Sequence, residues 1–146
     1  MSTTSYNRTI RGALNGKVAE FVTFPVPWVL ADDVASVCVA AAVQGATGRT
    51  YLAFGAEDAQ STAAFLNVAL DVAGAEHRVA ELSIAGDDPA AVARFGETLV
   101  DLAQRTFPVP WFDNGGTRAE LGYEPTPLRT GLETTIEWLR ANGQVG

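Results

Sequence analysis

A chain of 146 residues, 47% of them apolar, is long enough for one domain with a real core and too short to expect two. A net charge of −7, with Lys17 and nine arginines scattered singly, offers no basic stripe for a phosphate backbone and excludes nucleic acid as an expected partner. One cysteine, Cys38, excludes an internal disulfide, and one histidine, His77, leaves a zinc site to be built largely from carboxylates, so no metal is expected.

The opening MSTTSYNRT has no charged stretch followed by an apolar run, and nothing later reaches the roughly 20 apolar residues of a membrane span. A cytoplasmic protein without a membrane partner is the expectation. The first predicted element is a helix over Ser5–Leu14, leaving at Asn15-Gly16, followed by an extended run, VAEFVTF.

The hexapeptide TFPVPW comes next, at Thr23–Trp28, and recurs at Thr106–Trp111. Its prolines hold Phe24 and Val26 extended and cannot donate to a central ladder, which predicts an edge or crossing segment. The flanks of the two copies disagree, VAEFV against DLAQR before and VLADD against FDNGG after, so an internal duplication is rejected. Two readings remain. Both copies are rigid lead-ins whose tryptophans pack on the core, or Trp28 and Trp111 together line an apolar pocket.

ADDVASVCVAAAVQG predicts a helix with Asp32 or Asp33 as cap, Val34, Val37, Cys38, Ala41 and Ala42 as its stripe, and Gly45 as exit. Val39 and Val43 carry the apolar surface around the cylinder, as in a helix covered on more than one side. RTYLAFG reads as a strand over Thr50–Phe54 buried on both faces.

Ser61 is expected to cap a helix with Phe65, Leu66, Val68, Ala69 and Val72, ended by Gly74; HRVAEL is a short strand. GDDPAAVARFGETLVDLAQ predicts one long helix with Asp88 as cap, Pro89 at the first position, and Val92, Phe95, Leu99 and Leu102 at helical spacing. Thr117 and Glu120 stand at capping-box spacing for a short helix closed by Gly122. Thr126-Pro127 opens the last helix, with Leu128, Leu132, Thr135, Ile136 and Leu139 inward.

As single residues, Asp32 and Asp33 explain themselves as a cap and a partner for the helix dipole. Cys38 reads as a small core hydrophobe, and His77 as a solvated or hydrogen-bonded histidine rather than a base. Arg105, just before the second hexapeptide, is the charged candidate for a pocket bordering Trp111. A hydrolase or isomerase using Asp113 or Glu120 as base has no motif behind it.

WVLADDVASVCVAAAV followed by GRTYLAFG, and then FDNGGTRAELGYEPTPLRTGLETTIEWLR, resembles the C-terminal half of extended short-chain dehydrogenase/reductases, the NAD(P)-dependent epimerase/dehydratase family. The tail is similar to the family signature D-x-x-x-x-R-x-x-L-G-aromatic-x-P, with Asp113, Arg118, Leu121, Gly122, Tyr123 and Pro125 in place. The resemblance runs from about Asn7 to the end and implies an α/β fold, the C-terminal part of a Rossmann-type extended fold. Its parts are the last sheet strand and a small substrate-binding subdomain, helix-rich with short strands, forming one domain over residues 1–146.

The same resemblance implies an oxidoreductase whose NAD or NADP sits in an N-terminal half, and the 146 residues contain neither a G-x-x-G-x-x-G turn nor a Tyr-x-x-x-Lys pair: Lys17 has Ala13 four residues before it. No catalytic or cofactor-binding residue is therefore expected in this chain, and no hydride transfer by it alone. It implies a substrate role for Asp113 and Arg118, which otherwise pair with each other or orient the short helix. The expected substrate-binding set is Trp28, Arg105, Trp111, Asp113 and Arg118. The arginine that holds the diphosphate in nucleotide-sugar members is replaced by FPVPWV, which points to an apolar or aromatic small-molecule substrate. A homo-oligomer or a complementing chain is expected to cover the apolar helix and strand. The alternative is a stand-alone small-molecule or protein-binding module without catalysis.

Overall fold

The computed structural model describes residues 5–22, 25–55, 60–84, 88–106 and 113–146. Along the chain these form α1 (Ser5–Leu14), β1 (Glu20–Val22), β2 (Pro25–Val26), α2 (Ala31–Gln44), β3 (Gln60–Ser61), α3 (Thr62–Ala73), β4 (Ala80–Leu82), α4 (Pro89–Phe95), α5 (Glu97–Thr106), α6 (Gly115–Leu121) and α7 (Leu128–Ala141). The architecture is helix-rich α/β with short strands. The chain divides into two compact units, one of Met1–Val26, Gln60–Val109 and Leu132–Gly146, the other of Pro27–Ala59 and Pro110–Gly131.

The first unit is built around α3. Ser61 caps it, its side chain accepting from Ala64 N–H, and the helix leaves through Gly74. Because apolar residues recur along much of its surface, α3 is buried along Ala63, Leu66, Ala69 and Leu70, against which α1 brings Ile10 and Ala13. Leu132, Ile136 and Leu139 of α7 are buried in the same unit, the inner face expected from the sequence. β1 and β4 pair in parallel, Glu20 opposite Ala80 and Val22 opposite Leu82. Asn67 extends that ladder with its side chain, accepting from Val79 N–H at 2.9 Å and donating to Val79 C=O at 3.0 Å. β2 and β3 form a second, antiparallel pair. His77 is exposed and hydrogen-bonded through Nε2 to Ala13 C=O at 2.8 Å, as expected.

The long helix expected from Asp88 onward is two. Asp88 caps α4 as foreseen, but Gly96 takes φ 85° and ψ 148°, a backbone state outside the helical region, and α5 starts afresh at Glu97. The break lets Phe95 and Leu99 both pack toward a small core of Val22 and Ala103. The Leu102 side chain lies outside the described residues.

In the second unit, α2 rests on α6 and on the extended segment 50–55 through a core of Val37, Leu121 and Tyr123, with Ala40, Ala41, Tyr51 and Ala53 packed around it. The strand expected over Thr50–Phe54 is extended but sits in no ladder, because no other strand of the described residues lies beside it. Leu52 is accordingly 40% exposed rather than buried on both faces. The stripe of α2 is also rotated from the expected one: Asp33 and Val37 face inward, whereas Cys38 is exposed and is not a core residue.

Candidate functional site

The resemblance located the informative residues in the second unit, and there the structure ties three sequence-distant segments together. Leu30, not an aspartate, occupies the N-cap position of α2, and no side chain caps it. Asp33 sits one turn in, 8% exposed, and its carboxylate accepts from Thr126 N–H at 2.8 Å, Thr126 Oγ1 at 2.7 Å and Tyr123 Oη at 3.5 Å. The cap expected of Asp33 is therefore a cross-link between α2 and the turn that leads into α7. A carboxylate buried this far needs such donors, since an unpaired buried charge is strongly unfavourable.

Tyr123 also donates to Phe54 C=O at 3.0 Å, which fixes the end of the extended segment. Burial and the neighbouring Asp33 push the Tyr123 phenol up to about 12, against a smaller opposing pull from Arg118. A phenol held so firmly in its protonated form is a hydrogen-bond donor and a poor base.

The expected capping box at the start of α6 is not formed. Asn114 is the N-cap residue without a side-chain cap bond; Thr117 is buried and its Oγ1 accepts from Leu52 N–H at 2.8 Å. Asn114 donates to Phe54 C=O at 3.0 Å. Glu120 is exposed and held by Arg49 and by Tyr51 Oη at 3.0 Å, and both donors keep its carboxyl below the usual range.

Trp28 lies against Gly55. A Cβ at residue 55 would come within 2.6 Å of indole Cε2 and Cζ2, and Gly55 N–H donates to Trp28 C=O at 2.6 Å. Gly131, at the beginning of α7, stands on another part of the same indole, its Cβ position 3.9 Å from Cζ3. The Nε1 of Trp28 is buried and has no hydrogen-bond partner among the described residues. Trp28 thus has the partly buried, packed position of the rigid lead-in reading, with a donor left unused.

Of the other expected substrate-binding residues, Asp113 and Arg118 share this unit and are exposed. Asp113 accepts from Gly115 N–H at 2.7 Å and so orients the start of α6; no hydrogen bond joins it to Arg118 among the described residues. Arg105 belongs to the first unit, on α5, beside an open groove of about 780 Å³ between α4 and α5 whose rim is acidic. It is paired with Asp101 at 2.6 Å, which raises its pKa further. Trp111 and most of the second hexapeptide lie outside the described residues, as do Thr23 and Phe24 of the first. Among the described residues no group of three His, Cys, Asp or Glu side chains could hold a metal ion, and no helix is long and apolar enough to cross a membrane.

Tyr123, Thr126, Thr117 and Asn114 were not singled out from sequence as a bonded set. The available signal was that Asp33 and the Gly-Tyr-x-Pro-Thr tail both belong to the resembled motif, although 90 residues separate Asp33 from Tyr123.

No protein-family model and no curated protein matches this sequence. Solved structures do match it. The crystal structure of gox2253 superposes with a TM-score of 0.80 at 22% identity, over 98% of this chain and 46% of that one. A nucleoside-diphosphate-sugar epimerase from Pseudomonas aeruginosa gives 0.72 at 24% identity, over 96% and 43%. The Bordetella bronchiseptica enzyme WbmF, solved with NAD+ and UDP, gives 0.63 at 21% identity, over 95% and 37%. The fold is that of NAD-dependent epimerases and enzymes of the short-chain dehydrogenase/reductase type. Within that fold the chain matches the C-terminal half, and it spans less than half the length of these solved chains.

Proposed function

We propose that this chain forms the substrate-binding portion of an NAD(P)-dependent epimerase-, dehydratase- or reductase-like oxidoreductase, with the dinucleotide and the reacting groups supplied by a nucleotide-binding part. The observation that carries the reading is the match of 98% of the chain to the C-terminal half of such a fold, with the Asp33–Tyr123–Thr126 cross-link tying α2 to the tail segment of the resemblance. The cross-link holds Trp28, the 50–55 segment and the start of α6 in one unit, and so positions Trp28, Asp113 and Arg118. Arg105 and Trp111 stay in the proposed substrate set on the sequence alone. The substrate class rests on the sequence: FPVPWV offers an indole and prolines and no guanidinium for a diphosphate. An apolar or aromatic carbonyl compound, such as a flavonoid or an aromatic hydroxy-ketone, fits it better than a nucleotide sugar.

Titration of the chain with a flavonoid and, separately, with UDP tests this by tryptophan fluorescence. Saturable quenching by the flavonoid, weakened at least about tenfold in Trp28→Ala, is expected, with no response to UDP; a tenfold loss corresponds to about 1.4 kcal/mol of contact. Saturable UDP binding, or quenching by the flavonoid that Trp28→Ala leaves unchanged, would overturn the assignment.

A further inference from the structure

The break at Gly96 turns Phe95, Leu99 and Ala103 toward Val22, and other residues of α4 and α5 are left to line the open groove of about 780 Å³. Its two walls differ in chemistry. On the α4 side stand Pro89, Val92 and Ala93, all exposed and apolar. On the α5 side stand Glu97 and Asp101, both exposed and one helical turn apart, so that their side chains are neighbours on one face.

The groove is also unbalanced in charge. Asp88, Glu97 and Asp101 line it against a single guanidinium, that of Arg105, which leaves a net charge of −2. Glu97 has no ion pair among the described residues. Asp101 holds Arg105 at 2.6 Å, but both side chains are largely in solvent, and an exposed pair contributes little. Asp101 can therefore take a partner's base in place of Arg105.

Shape narrows the occupant further. A small molecule is held where most of its surface is enclosed, whereas this groove lies open along α4 and α5, roughly 10 and 15 Å long at 1.5 Å per residue. An elongated segment suits it better.

We infer that the α4/α5 groove docks an amphipathic basic helix of another polypeptide, with its apolar stripe on Pro89, Val92 and Ala93 and two Lys or Arg residues, one turn apart, on Glu97 and Asp101. An acidic or neutral helix would strip water from these carboxylates and return no partner to them. The net charge of −7 attracts a basic partner from a distance and repels a second copy of this chain. The groove belongs to the first unit, and its occupant goes beyond the substrate reading, with which it shares only Arg105.

Fluorescence anisotropy of the 146-residue chain with a labelled helical peptide of about 14 residues, leucines at i, i+3 and i+7 and lysines at i and i+4 beside them, tests the docking. Saturable binding is expected, at least about tenfold weaker when Glu97→Lys and Asp101→Lys are combined and at least about threefold weaker in Val92→Ser. Glu97→Gln with Asp101→Asn keeps the side-chain shapes and should weaken binding in the same direction, which separates lost charge from a misfolded variant. Amide shifts on adding the peptide to the unaltered chain should fall on α4 and α5. No binding, or equal binding of the peptide with glutamates for lysines, overturns the docking. An equal loss in Glu76→Lys with Glu124→Lys, away from the groove, would reduce it to diffuse charge attraction. Affinity unchanged in Val92→Ser would leave an acidic cluster without an apolar wall, and amide shifts centred outside α4 and α5 would place the peptide elsewhere; both overturn it.

Discussion

The Asp33 carboxylate accepts both the main-chain N–H and the hydroxyl of Thr126, at 2.8 and 2.7 Å, across 93 residues of sequence. It is the shortest pair of bonds joining α2 to the turn before α7. In Asp33→Ala the Thr126 N–H is left without its acceptor and the Tyr123 hydroxyl loses its charged neighbour. Hydrogen bonds to a charged group are worth about 1.5–3 kcal/mol each, and a part-buried orphan donor adds to the loss. Urea unfolding should show Asp33→Ala less stable by about 2–4 kcal/mol and Asp33→Asn by less, because the amide oxygen still accepts. A loss below about 0.5 kcal/mol in Asp33→Ala would mean that the cross-link does not hold the unit together.

Much of this arrangement was legible in the sequence because its signals are local. Ser61 and Asp88 are caps, Gly74 and Gly122 are exits, and the spacing of Leu128, Leu132, Ile136 and Leu139 gives the inward face of α7; each depends on neighbours within a turn or two. Asp33 and Thr117 misled for the same reason. Each looks like a capping residue locally, and each is instead claimed by a donor far along the chain, Thr126 and Leu52. Cys38 misled because an apolar run with little periodicity does not say where the inward side ends; the inward line runs through Asp33, Val37 and Ala41 and leaves Cys38 outside it.

The position of Tyr123 gives the unit an alkaline limit. Its phenol is raised from 10 to about 12, so the folded state holds this proton more tightly than the unfolded chain does. The resulting stability is full below pH 10 and disappears as pH rises through about 12. Comparing the protein with Tyr123→Phe isolates it: the difference in unfolding free energy should be constant up to about pH 10 and then shrink by at most about 2.7 kcal/mol. The phenolate absorbance lost in the variant should titrate near 12. A titration near 10 would show that the phenol is not held by Asp33 and burial.

Gly55 and Trp28 should behave as one energetic unit. The backbone of Gly55 is not among the positive-φ glycines, so alanine meets no backbone strain there, only the indole at 2.6 Å. Gly55→Ala is expected to cost about 1–3 kcal/mol through overpacking, and to blue- or red-shift the tryptophan emission as the ring moves. In a Trp28→Leu background the same change should cost less than about 0.5 kcal/mol, a coupling that a double-mutant cycle measures directly. Additive costs would show that the contact is not what the glycine accommodates.

The break at Gly96 makes a prediction whose sign alone decides between two folds. If residues 89–106 preferred one continuous helix, as the apolar spacing suggests, replacing a mid-helix glycine by alanine would stabilise the protein by about 1 kcal/mol and raise the helical signal. In the structure Gly96 instead adopts φ 85° and ψ 148°, which an alanine reaches only at a cost of about 1–3 kcal/mol. No atom stands within 4 Å of the added Cβ, so crowding cannot confuse the result. Gly96→Ala should therefore lower stability in thermal and urea unfolding with no gain in far-ultraviolet helical signal. A more stable, more helical variant would instead mean that α4 and α5 join, that the groove beside Arg105 is lost, and that the core of Val22 and Ala103 must find another way to bury Phe95 and Leu99.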